Sequence, residues 1–300
     1  MNPLYSVDNV DRMAFIISLS LIVVASLFTA ANAYSYEPLD VGNCGRSSLT
    51  SFNATADEKN ANITHHPWMA LIMNKKTTPC TAILIPMWYK NSSKVVMTSS
   101  HCQRQGSIDH LEVITGIGPD GRIHENYTTI SKSVGAYSYR SEATDGVSFI
   151  FLKKGVTFND YVRPACLPRQ SQPPPRSPCV LTGWEVERNG SGASGLLQAQ
   201  LKETNLISRK AGATDRPYRL KIKDLFDKRG ATHSQGSPLV CLHNDLWTVY
   251  GTFLSSVYTQ NHSIFLPTFD MLPLIEGEME LPTKPGFAEE VKRFFKNFLS

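Results

Sequence analysis

The sequence predicts an all-β protein built from two halves of similar size. From about residue 61 to residue 270, short apolar or alternating runs of strand length recur, each bounded by Gly, Pro, Asn or Ser. Helical periodicity is almost absent before residue 270. The proline-rich stretch 167–178 cannot form a central strand, because proline lacks an amide donor, so we interpret it as a linker between the halves. The spacing is typical of a β-sandwich or a β-barrel.

Composition supports a globular chain and argues against one class of partner. The chain has 300 residues, of which 41% are hydrophobic, enough for one large core or two medium ones. This composition excludes a fibre or a disordered chain. The formal net charge of +4 is spread thinly, without a long Lys/Arg cluster, so we expect no nucleic-acid partner.

An apolar run near the N-terminus predicts secretion. Residues 14–33 end in the small residues Ala31 and Ala33, which suit signal-peptidase cleavage before Tyr34. The alternative is an uncleaved signal anchor, because the run is nearly long enough to span a bilayer. A start at Met13 would remove the acidic leader that precedes the run. We therefore expect a secreted, extracellular protein, attached to a membrane only if the run stays uncleaved.

Cysteines and glycosylation motifs also favour an oxidising compartment. The six cysteines form an even set without a CxxC pair, which predicts disulfides and no zinc ribbon: Cys44, Cys80, Cys102, Cys166, Cys179 and Cys241. The chain also contains six Asn-x-Ser/Thr motifs, an excess typical of a secreted glycoprotein: Asn53, Asn62, Asn91, Asn126, Asn189 and Asn261.

These features divide the chain into four regions. We predict a signal peptide over 1–33, a polar N-terminal segment over 34–60, a main domain over 61–276 and a C-terminal tail over 277–300. The tail ends in an amphipathic helix over 287–300. Two interpretations of this helix stay open: it packs on its own domain, or it docks on a partner or a membrane surface.

Four landmarks in one order carry a family resemblance. They are CTAILIP with MTSSHC, then DGVSFIFL, then YVRPACLP with CVLTGW, and then SQGSPLVC with WTVYG. Over residues 61–276 the chain resembles the chymotrypsin-like (trypsin-type, S1) serine proteases, whose motifs read CGGTLI with TAAHC, DIALL, IRPICLP with VTGWG, and GDSGGPLVC with GIVSWG. The resemblance implies two six-stranded antiparallel β-barrels. It also implies three disulfides: Cys80–Cys102, Cys179–Cys241 and Cys44–Cys166.

The resemblance also implies a catalytic site in which one member has changed. His101 matches the general base of the family, and Asp145 matches the carboxylate that orients it. Counting back from Pro238 and Cys241, the nucleophilic serine falls on Gln235. A carboxamide nitrogen is delocalised into its carbonyl group and cannot act as the attacking alkoxide. The predicted site therefore keeps its base and its carboxylate and lacks its nucleophile.

Neighbouring positions depart from the family pattern as well. His233 stands at the oxyanion-hole glycine, and Ser234 at the aspartate that receives the new N-terminus on activation. Residues 54–61 read ATADEKNA and contain no Arg-Ile-Val-Gly-Gly activation junction. Val257 replaces a pocket glycine, and the base of the substrate pocket aligns approximately with Arg229. The nucleophile, the oxyanion hole, the activation switch and the pocket are thus all altered.

Three functional hypotheses follow. The first is a secreted, catalytically inactive serine protease homologue, like those of arthropods, that binds extracellular proteases, their zymogens or their substrates as a cofactor or regulator. The second is a residual trypsin-type endopeptidase that uses Ser234. The third places zinc between His101, His233 and Asp145, but ordinary packing of these side chains explains them more simply, so we expect neither a metal nor another cofactor.

Overall fold

The computed structural model describes the greater part of the region 43–275. The described residues are 43–49, 58–59, 63–74, 77–86, 91–104, 111–118, 122–141, 144–170, 172–174, 176–186, 193–201, 206–207, 218–220, 235–257, 262–272 and 275. All of them belong to one compact unit, Pro38–Ser300. The segments predicted as signal peptide (1–33) and C-terminal helix (287–300) lie outside the described residues.

The described residues are mainly β-strand. Fourteen strands follow one another: β1 Glu58–Lys59, β2 Met69–Asn74, β3 Thr77–Leu84, β4 Ser92–Ser99, β5 Glu112–Thr115, β6 Thr129–Ser141, β7 Thr144–Thr157, β8 Cys179–Val186, β9 Ala193–Leu201, β10 Leu206–Ile207, β11 Tyr218–Leu220, β12 Pro238–His243, β13 Leu246–Val257 and β14 His262–Pro267. One short α-helix, α1, spans Ser100–Arg104 between β4 and β5. Two 3-10 turns, Ile63–His65 and Phe269–Met271, complete the described elements. No described helix is both long and apolar enough to cross a bilayer.

The first half closes into an antiparallel barrel with the strand order β2-β3-β4-β7-β6-β5. Alternation along β7 gives this barrel two packed faces. Ile150 and Leu152 join the cluster inside the barrel, whereas Val147 and Phe149 join a larger cluster that includes residues of the second half. A strand whose two faces are both buried should read as a nearly continuous apolar run, as VSFIFL does.

The second half is an eight-stranded antiparallel sheet with the order β1-β9-β8-β12-β13-β14-β11-β10. Together with the closed barrel, this sheet confirms the all-β, chymotrypsin-like fold class. The sheet has two strands more than the six that the resemblance implies. The two-residue strands β1 and β10 are too short to show an alternating pattern, so the sequence could not reveal them.

Trp184 of β8 joins the two halves. Its indole Nε1 donates a hydrogen bond to the carbonyl oxygen of Ala70 in β2 at 3.0 Å, and its backbone nitrogen donates to Thr81 Oγ1 at 3.1 Å. The side chain is completely buried. Burying an aromatic ring with its polar atom satisfied stabilises an interface, so the halves form one continuous core.

The N-terminal segment 43–49 is fastened both to the chain just before the predicted linker and to the second half. A disulfide links Cys44 to Cys166, the backbone nitrogen of Gly45 donates to Pro164 at 2.8 Å, and its carbonyl oxygen accepts from the Trp247 nitrogen at 2.9 Å. Gly45 has φ +68, and a Cβ there would lie 2.7 Å from the Cys166 sulfur. Only glycine fits this position.

Candidate functional site

His101 lies directly after a central strand of the barrel. β4 ends at Ser99, and α1 begins at the next residue, so His101 occupies the first turn of a five-residue helix. A helix this short is not stable by itself. It is held by the disulfide between Cys102 and Cys80 of β3, and by a hydrogen bond from the Cys102 nitrogen to Ser99 Oγ at 3.4 Å. His101 is half-buried.

The backbone of β7 brings Asp145 to the same end of the barrel. Ser99 pairs with Val147 in the antiparallel ladder between β4 and β7. The chain leaves β4 towards His101 at this point, and Asp145 precedes Val147 by two residues. The strand register therefore places both residues at one end of the same ladder, as a base and its carboxylate require. The Asp145 side chain lies outside the described residues.

A network of side-chain hydrogen bonds connects α1 to β6 and β7. Ser148 Oγ donates to Ser100 Oγ at 3.0 Å and lies 2.6 Å from Ser138 Oγ, while Ser138 Oγ donates to Gln103 Oε1 at 3.2 Å. Two members of this network, Ser100 and Gln103, belong to α1 itself. The hydrogen bonds attach the helix to β6 and β7 and restrict the backbone on both sides of His101.

The turn at Gln235 lies against α1 from the second half. The Gln235 carbonyl oxygen is 3.6 Å from the Cys102 sulfur, next to His101 in the chain. The Gly236 nitrogen donates to the carbonyl oxygen of Phe253 at 2.9 Å, and the Phe253 nitrogen donates to that of Ser237 at 2.8 Å. The turn is therefore fixed to β13 and brings Gln235 to the helix that carries His101.

The side-chain oxygen of Gln235 lacks a hydrogen-bond partner among the described residues. This Oε1 atom is buried, and Ser237 Oγ is likewise buried and without a partner among the described residues. A buried polar atom without a partner typically costs about 1–3 kcal/mol.

Comparison with known proteins gives the family. The family model described as Trypsin matches residues 56–269, more than half of the chain. The chain belongs to the trypsin family. A curated relative, chymotrypsin-like elastase family member 1 of Rattus norvegicus, is 28% identical over 178 residues, which cover 54% of this chain and 65% of the relative. The chain thus matches somewhat less than two thirds of the length of that relative.

The three disulfides connect the pairs that the trypsin-family resemblance implies. Cys80 is bonded to Cys102, Cys179 to Cys241 and Cys44 to Cys166. No described cysteine is free. The first bridge supports the helix of His101, and the second joins β8 to β12, the strand that follows the Gln235 turn. Two of the three bridges therefore brace the elements that form the candidate site.

Several predicted site residues lie outside the description. His233, Ser234 and Arg229 are not described, and β13 is described at Val257 only by its backbone. Their predicted roles stay predictions. No group of His, Cys, Asp or Glu among the described residues could hold a metal ion, and the side chains of His233 and Asp145, two of the three residues of the zinc hypothesis, lie outside the described residues.

Two of the six glycosylation motifs are described. Asn91 and Asn126 are both exposed and lie in turns. The other four, at Asn53, Asn62, Asn189 and Asn261, lie outside the described residues.

The sequence did not predict the contact between the Gln235 turn and strands β3 and β4 of the barrel. Gly236 adopts φ +87, and a Cβ there would collide with the Thr81 carbonyl oxygen and with Thr98 Oγ1. Thr98 donates to that same carbonyl oxygen at 2.6 Å. The one signal in the sequence was a glycine next to Gln235, which alone does not reveal a contact with β3.

Proposed function

We propose that this chain is a secreted trypsin-family homologue that has lost peptidase activity and acts by binding proteins, as a cofactor or regulator of an extracellular proteolytic cascade. The observation that carries the proposal is Gln235. It stands where the resemblance expects the nucleophilic serine, in a turn that contacts the helix of His101. Without a hydroxyl group at this position, His101 has no nucleophile to deprotonate.

The binding role follows from what the chain retains. The barrel, the sheet and three disulfides form a stable extracellular scaffold. A scaffold of this family presents loops at the ends of its strands, where binding specificity resides, and it does not need the nucleophile to use them. The partners proposed are extracellular proteases, their zymogens or their substrates.

The decisive experiment for inactivity is covalent labelling. The purified, secreted chain is treated with a fluorophosphonate probe, which reacts with activated serine hydroxyl groups, beside an active trypsin-family peptidase at the same concentration. We expect labelling of the control and none of this chain. Labelling that disappears in Ser234→Ala would instead support a residual endopeptidase that uses Ser234, and it would contradict the proposed loss of peptidase activity.

The decisive experiment for binding is co-purification from extracellular fluid. Immobilised full chain and a chain lacking residues 277–300 are used side by side as baits. We expect the full chain to retain a trypsin-family protease, a zymogen or a cascade substrate. Equal retention by both baits would assign binding to the main domain, and loss with the shorter bait would assign it to the tail. Absence of any such protein from both eluates would contradict the binding role.

A further inference from the structure

A stack of three aromatic rings lies at the end of the barrel opposite to His101. Tyr127 stacks on His124 with ring centroids 4.9 Å apart and on Tyr161 with centroids 4.1 Å apart, and both pairs are within 17° of parallel. β7 begins near Asp145 and ends at Thr157, shortly before Tyr161. The stack is therefore separate from the candidate trypsin-family site.

The rings of the stack are partly open to solvent. Tyr161 is 38% exposed, His124 and Tyr127 are half-buried, and the neighbouring Ile123 is 56% exposed. Tyr127 stacks on both of its neighbours, so the stack can offer only the outer face of an end ring, and Tyr161 is the more exposed of the two end rings. We call this face of Tyr161, which Tyr127 and His124 support, the platform. Scattered exposed apolar side chains are ordinary, but a contiguous stack of three rings indicates a contact surface.

The turn that carries the stack is rigid. The nitrogens of Tyr127 and Thr128 donate to the His124 carbonyl oxygen at 3.3 and 2.9 Å. Thr128 Oγ1 accepts from the His124 nitrogen at 2.9 Å and donates to the Gly116 carbonyl oxygen at 2.7 Å. Gly116 has φ +70, and a Cβ there would approach the Tyr127 carbonyl oxygen to 2.5 Å.

Asn126 lies in this turn, between the two ring-bearing residues His124 and Tyr127. It is exposed, and with Tyr127 and Thr128 it forms an Asn-x-Thr motif. A sugar on Asn126 would begin within one residue of the stacked rings. The apolar face of a pyranose ring, with its axial C–H groups, is complementary to the electron-rich face of an aromatic ring.

We propose that the first N-acetylglucosamine of a glycan on Asn126 packs on the platform, the outer face of Tyr161 that Tyr127 and His124 support, and stabilises this end of the barrel. The inference rests on secretion, which is part of the proposed function. The occupant is fixed by covalent attachment at Asn126, so it does not need an independent affinity for the platform.

The attachment is a group transfer whose atoms balance. The Asn126 Nδ2 nitrogen forms a bond to C1 of the N-acetylglucosamine, and the bond between C1 and the pyrophosphate oxygen of a lipid-linked oligosaccharide donor breaks. The nitrogen loses one proton, and the lipid pyrophosphate leaves with the electron pair of the broken bond. The donor is the one that the secretory pathway supplies to any exported chain.

The test uses the full chain, secreted from a eukaryotic host, with site occupancy measured by mass spectrometry. Asn126→Gln removes the glycan from the platform, and Asn91→Gln removes one from another exposed turn that contributes no ring to the stack. We expect Asn126→Gln to lower the melting temperature by about 2–4 °C and Asn91→Gln by about 1 °C or less. Trimming the glycans to a single N-acetylglucosamine should leave the melting temperature of the wild-type chain unchanged.

A second variant separates sugar packing from a general effect of glycosylation. In a Tyr161→Ser background, Asn126→Gln should shift the melting temperature by less than half of its wild-type effect, because the two groups are in contact. An unchanged shift would overturn the proposal, as would an unoccupied Asn126 in a chain glycosylated elsewhere. A chain unmodified at all six motifs would overturn the proposal as well. Retention of the chain inside the host would contradict secretion, whereas fluorophosphonate labelling would contradict only the loss of catalysis.

Discussion

The backbone of Gly236 lies directly on the Thr81 carbonyl oxygen of β3, closely enough that a Cβ at Gly236 would collide with it. This contact connects the turn of Gln235, in the second half of the fold, to the strand that supports the His101 helix through its disulfide. The positive φ of Gly236 is a second, independent reason why this position requires glycine.

We expect Gly236→Ala to destabilise the protein by about 3 kcal/mol or more, because the new Cβ meets backbone that cannot move aside and the left-handed conformation disfavours alanine. Gly135→Ala is the matched control. Its Cβ would meet only Phe151 Cδ2 at 3.8 Å, an ordinary contact. Unfolding in denaturant gives both values, and equal losses from the two variants would mean that the Gly236 contact is not tight.

Two buried tryptophans allow a test of the hydrogen bond between the halves. Trp184 and Trp68 are both fully buried, but Trp184 Nε1 donates to Ala70 at 3.0 Å, whereas Trp68 Nε1 has no hydrogen-bond partner among the described residues. Trp184→Phe should therefore cost about 1–2 kcal/mol more than Trp68→Phe. The free energies of unfolding of both variants decide this, and a larger loss for Trp68→Phe would contradict the assignment.

The disulfides should contribute in the order of their loop lengths. Cys80–Cys102 closes a sequence separation of 22 residues, and Cys44–Cys166 one of 122 residues. Loop-closure entropy predicts losses of about 3 and 5 kcal/mol when each pair is replaced by alanines. Unfolding without reductant measures the losses, and secretion yield ranks the variants if one does not fold. The reverse order would show that native contacts, and not loop length, dominate.

Restoring the nucleophile alone should not restore catalysis. Gln235→Ser returns the hydroxyl to the position that the resemblance expects, but the same resemblance predicts His233 at the oxyanion glycine and Ser234 at the activation aspartate. Loss of one oxyanion donor typically lowers the rate by about 10²–10³, so we expect no fluorophosphonate labelling above that of the wild-type chain. Combining Gln235→Ser with His233→Gly and Ser234→Asp tests whether these neighbours are the barrier. Full labelling of Gln235→Ser alone would show that they are not.

The sequence predicted the fold and the disulfides better than it predicted the surroundings of the site. The order of the motifs and the even set of cysteines sufficed for the pairing of Cys80 with Cys102, because the family relates these positions directly. The steric requirement for glycine at position 236, which the Thr81 carbonyl oxygen imposes, could not be predicted in this way. It depends on strands far apart in the chain coming into contact, and no local pattern encodes that.

The same limit applies to features outside the site. The stacking of Tyr127 on Tyr161 joins the turn before β6 to the turn after β7. Neither turn has a hydrophobic periodicity from which this contact could be predicted. The tryptophans could be recognised as core candidates from their type, but whether Trp184 or Trp68 finds an acceptor depends on how the strands of the barrel pack against those of the sheet. The type of each residue predicts what its side chain can do, but it does not predict which residue of a distant strand the side chain will contact.

The bond between Cys44 and Cys166 determines how a cut in the chain would be seen on a gel. A single cut at any peptide bond between Cys44 and Cys166 would leave two pieces that this disulfide still holds together. On a denaturing gel without reductant the two pieces would migrate together, and a reductant would separate them. Electrophoresis without reductant would therefore report a cut molecule as intact.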